Sequence, residues 1–130
     1  MTVLVGYLPS AEGEAAFAAG LEEAIRREEG LVVLNSPRGG ALVSRDVAAE
    51  DAVEEMSGRA RAAGVTIEIR QNPHAGEAAE EILRVADETD ASVIVIGLRR
   101  RSPVGKLFMG SSAQRILLDA TRPVLAVKPK

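Results

Sequence analysis

The residues best suited to chemistry lie in one stretch, Gly97-Leu-Arg-Arg-Arg-Ser-Pro-Val-Gly-Lys-Leu-Phe-Met-Gly-Ser-Ser112. Gly97 closes an apolar run and lets the backbone turn, or approach a ligand, with no Cβ in the way. Gly110 precedes a helical pattern whose first amides have no partner within the helix. Ser111 suits the N-cap, and Gln114 three residues later completes a Ser-x-x-Gln capping box. Free amides, the hydroxyls of Ser111 and Ser112, and the cations Arg99, Arg100, Arg101 and Lys106 together suit an anion, phosphate above all.

Two stock phosphate motifs are absent. A P-loop needs a glycine five residues before Gly105-Lys106 and a hydroxyl after the lysine, but position 100 is Arg and position 107 is Leu. A Gly-x-Gly-x-x-Gly fingerprint after the first strand is missing too, since Gly6-Tyr-Leu-Pro-Ser-Ala11 holds one glycine. Plainer readings compete. Gly97 and Gly110 also suit a strand end and a helix start. Arg99 to Arg101 alone would be a solvated face, and followed by Ser102-Pro103 they also form a weak kinase-target pattern. Only Tyr7, Phe17 and Phe108 are aromatic, which argues against a stacking platform for nucleic acid. His74 has no evident triad partner or metal set, and Asp46, Glu50, Asp51, Glu54 and Glu55 suit the wet face of a helix.

The elements that must hold this loop are legible from periodicity. Thr2–Tyr7, Leu31–Leu34, Val65–Arg70, Ala91–Ile96 and Pro123–Lys128 are short β-branched or apolar runs that predict strands. Between them Glu14–Glu29, Asp46–Ala63, Glu77–Thr89 and Ser111–Ala120 carry apolar residues at helical spacing. Gly30 and Gly64 are expected to stop the first and second helices. Regular β-α alternation predicts a single α/β domain over residues 1–130: a five-stranded parallel, Rossmann-like sheet with helices on both faces. Ligands of such sheets bind beyond the C-terminal strand ends, where strand order reverses. The loops after Tyr7, Leu34, Arg70 and Ile96 are therefore the places to look.

Composition sets the class. The 130 residues are 46% hydrophobic and 27% charged, and the absence of cysteine excludes disulfides, thiolate zinc sites and a cysteine nucleophile. No run suits a membrane span or a signal peptide, which predicts a cytoplasmic protein with no membrane partner. The net charge of −3 hides a division. Residues 1–90 carry 8 basic and 18 acidic groups, whereas residues 91–130 carry 8 basic groups and one acid, Asp119. The positive field is local to the C-terminal third.

Gly97, two residues, Arg100, nine residues, Gly110-Ser111 resembles the universal stress protein pattern, with Arg in place of the second glycine. The likeness extends through Gly76-Glu-Ala-Ala-Glu-Glu-Ile82, Asp90-Ala-Ser-Val-Ile-Val-Ile-Gly97 and Arg122-Pro-Val-Leu-Ala-Val-Lys-Pro129. That resemblance implies a cytoplasmic, usually dimeric protein linked to stress survival. One branch of the family binds ATP or AMP and another does not. It implies phosphate contacts at Gly97, Arg99, Arg100, Gly110, Ser111 and Ser112, with Gly6, Leu8, Asn35 and Ile96 on the adenosine side. Nucleotide binders of the family usually end the first strand in Asp, and Leu8 stands there in this chain. Arg100 either adds a guanidinium to the phosphates or fills the space that the second glycine leaves open. Mg²⁺ is expected only with ATP, and no general base or P-loop lysine points to catalysis. The competing expectation is a dimeric module that binds no nucleotide and whose basic loop meets anions or an acidic partner. Val124–Val127, an uncharged apolar last strand, is the expected pairing edge of a homodimer.

Overall fold

The computed structural model describes residues 1–7, 11–35, 47–71, 78–98 and 111–129. Nine elements alternate along them: β1 (Thr2–Tyr7), α1 (Ala11–Arg27), β2 (Gly30–Asn35), α2 (Val47–Ala62), β3 (Ile67–Gln71), α3 (Ala78–Glu88), β4 (Ala91–Gly97), α4 (Ser111–Asp119) and β5 (Val124–Val127). The strands form one parallel sheet in the order β3-β2-β1-β4-β5. This is the α/β architecture that the alternation predicts.

Successive strand residues point to opposite faces, and the core divides accordingly. Val3, Val5, Leu31, Val33, Val93 and Val95 meet Ala16, Phe17 and Ala24 of α1 and Met56 of α2 on one face. Leu4, Val32, Leu34, Ile94 and Ile96 meet Ala79, Ile82, Val85 and Ala86 of α3 and Ile116 of α4 on the other. Strands β1, β2 and β4 are buried on both faces, so their sequences read as continuous apolar runs. On the edge strand β3, Ile67 and Ile69 pack on the core while Glu68 is exposed. The one wetter face expected of that strand is present.

Helix ends are where sequence and structure part. Gly30 does not stop α1, because it is already the first residue of β2. Glu28 makes the left-handed turn instead (φ 56°), with the Glu29 amide donating to the Ala24 carbonyl at 3.0 Å and the Glu28 amide to Ile25 at 3.2 Å. This pair of bonds is the Schellman arrangement. Helix α2 ends by the same device at Gly64 (φ 75°), as expected, with Val65 donating to Ala60 and Gly64 to Arg61. Asp90 (φ 53°) closes α3. Two of three left-handed caps thus use residues that gain no steric relief, and a search for glycine misses them.

Candidate functional site

Strand order reverses between β1 and β4, the two central neighbours. The helix after β1 packs on one face and the helix after β4 on the other. The chain therefore diverges above the C-terminal ends of these strands and leaves a crevice. Gly6 lies at its floor. A Cβ on Gly6 would stand 3.0 Å from Ile82 Cδ1 and 3.8 Å from Ile96 Cγ2, so glycine lets α3 and β4 close on the end of β1. Ile96 is buried, and Gly97 ends β4 half-buried beside Val127 of β5. Asn35 is the last residue of β2, half-buried and in register with Tyr7 and Gln71.

Two helices on the same face begin at this edge. Helix α3 opens with Glu80 and Glu81 in its first turn, so its positive dipole end already carries two carboxylates. Helix α4 opens with Ser111 and Ser112 and has no acid in its first turn. Its first turn thus supplies no carboxylate to its own free amides. The two helices pack together, and Arg115 of α4 lies 3.2 Å from Glu80 of α3.

The structure thus brings Gly6, Asn35, Ile96, Gly97 and the start of α4 to one edge of the sheet. Leu8, Arg99, Arg100 and Gly110 lie outside the described residues, as do Arg101, Lys106 and His74. Sequence reasoning did not single out Glu80 and Arg115, and it read Ile82 only as one of the apolar residues of the third helix. Arg115 had a signal, its position four residues after Ser111 in one helix. Its partnership with Glu80, 35 residues away, had none. Among the described residues no group of three or more His, Cys, Asp or Glu side chains is placed to hold a metal ion. No helix among them is long and apolar enough to cross a membrane.

Known proteins share this arrangement across the whole chain. A universal stress protein from Mycolicibacterium smegmatis is 46% identical over 127 residues, covering 98% of this chain and 97% of the relative. The structure of a universal stress protein from Archaeoglobus fulgidus superposes with a TM-score of 0.81 at 34% identity, covering 98% of each chain. Another from the same organism, solved in complex with dAMP, superposes at 0.73 and 28% identity, again over 98% of each chain. The family model described as "Universal stress protein family" matches residues 1–128. Fold, crevice and sequence agree, and the chain belongs to the universal stress protein family.

Proposed function

We propose that this protein binds an adenine nucleotide, ATP or AMP, and acts in the cytoplasm by ligand-dependent interactions rather than by catalysis. The observation that carries the reading is the acid-free N-terminus of α4 at the mouth of the β1–β4 crevice. Phosphate sits there against the amides of Gly110 to Ser112, with the two serine hydroxyls and Arg99 and Arg100 as further donors. The base side falls toward Gly6, Leu8, Asn35 and Ile96. A relative 28% identical and solved with dAMP supports the choice of adenine nucleotide. Mg²⁺ accompanies ATP alone.

Calorimetry with AMP, ATP and inorganic phosphate tests this. Wild type binds a nucleotide below millimolar concentration, and Ser111→Ala weakens it about threefold to tenfold by removing a hydroxyl donor and the helix cap. Silence from wild type at millimolar nucleotide would sink the reading. One feature favours a second one: Leu8 occupies the place of the usual Asp. A protein that binds phosphate equally with or without adenosine is the anion- or partner-binding module instead, and Leu8→Asp would then create the missing preference.

A further inference from the structure

Helices α3 and α4 are tied near their starts by Arg115. Its Nη2 lies 3.2 Å from Glu80 Oε2, and its Nε lies 3.3 Å from Asp119 Oδ2, one turn further along α4. Glu80 is the third residue of α3, and Arg115 is the only basic residue in the sequence of α4. It stands four residues from Ser111, about 6 Å along the axis and on the same helix face. The guanidinium now faces Asp119; turned toward the N-terminus, the direction helical side chains favour, it would reach toward the amide end of α4. All three partners are partly exposed, 39% for Arg115, 57% for Glu80 and 53% for Asp119. Exposed pairs of this kind are weakly held and easily exchanged.

Resting on the phosphate site proposed above, we infer that Arg115 is a transferable anion ligand. Without nucleotide it is shared by Glu80 and Asp119. With nucleotide it turns to the phosphate, and Glu80 is released. Glu80 is thereby an internal competitor of the ligand. The backbone of α3 stays in place, since Ala79, Ile82, Val85 and Ala86 are buried in the core. Only the Glu80 side chain is freed. The bound protein then presents Glu80 without its guanidinium, while Glu81 stays held by Arg84 at 2.7 Å; that single uncovered carboxylate is a surface difference that a basic partner reads. A fixed crevice offers no such signal.

The sign of one substitution decides the matter. In calorimetry with AMP, Glu80→Gln removes the competitor and tightens binding about threefold, while Arg115→Gln weakens it about tenfold. The Glu80→Gln gain disappears when Arg115→Gln is also present, and Arg115→Lys falls between wild type and Arg115→Gln. The Arg115 Nε–Hε NMR signal of wild type shifts on adding AMP. Unchanged or weakened binding by Glu80→Gln overturns the inference and leaves the pair a structural tie, whatever becomes of the Arg115 variants. Wild type that binds no nucleotide overturns the phosphate site itself, and the inference with it.

Discussion

Gly20 sits mid-way along α1, where the helix presses on β1. A Cβ at this position would overlap a Val5 methyl, with Leu31 Cδ1 3.5 Å away. Glycine inside a helix costs about 1 kcal/mol relative to alanine, so Gly20→Ala looks favourable on propensity alone. Overpacking a closed core costs about 1–3 kcal/mol, and Val5 is fully buried with nowhere to retreat. The steric effect wins. Gly20→Ala is expected to lower stability in denaturant titration, and Val5→Ala added to it to lower stability less than the two single losses combined. Strict additivity would show that α1 can rise from the sheet at no cost. Gly6 follows similar logic at the crevice, where Ile82 stands in the way.

At the scale of elements, arginines fasten α3 to its surroundings. Arg70 of β3 bonds Glu88 and Arg122 before β5 bonds Asp87, while Arg122 also donates to the Ala86 carbonyl. The Arg70 guanidinium beside Glu88 holds its carboxyl below the ordinary range, with Arg84 helping, and Arg27 does the same to Glu23 on α1. A carboxyl depressed in the folded state stabilises fully above its unfolded value, about 4.3 for glutamate, and that contribution is lost as the pH falls through the folded value. Melting temperature should therefore drop below pH ~4, less steeply for Glu88→Gln than for wild type. The Glu88 carboxyl is exposed, so the difference is small and shrinks further in molar salt. A Glu88→Gln curve parallel to wild type through this range would remove the pair from the account.

Element types were legible because the buried strands are apolar throughout and the helices show their period. Strand order was not, because β1 meets β4 through pairs such as Val5 with Val95, whose distance in sequence carries no local sign. The stop of α1 was misread for a physical reason: Glu28 accepts the left-handed turn because two backbone hydrogen bonds enforce it. At the site, Gly110 and Ser111 announce the helix start at Ser111. The carboxylate–guanidinium pair that joins the two helices became visible only once both began at one edge.

At the scale of the whole molecule, β5 is the outermost described strand on its side of the sheet, and its four residues are all half-buried and uncharged. Leu118 on α4 is 82% exposed and Leu117 38%. We propose that a second copy covers this edge, since an apolar strand end with free backbone groups invites pairing. Light scattering is expected to give a dimer mass for wild type. Leu118→Lys should raise the dimer dissociation constant about tenfold while leaving the melting temperature of the monomer near its starting value. A strict monomer at all concentrations would refute the arrangement.

The β1–β4 seam has a further consequence, in the order of events as the chain folds. Its two walls, at Gly6 and Gly97, come from strands far apart in the sequence. Contacts so distant are assembled only after a costly loop closure. A ligand held across the seam therefore has nothing to grip until the last long-range pairing is made. It acts on the unfolding limb, slowing escape from the finished fold, and does little to hasten arrival there.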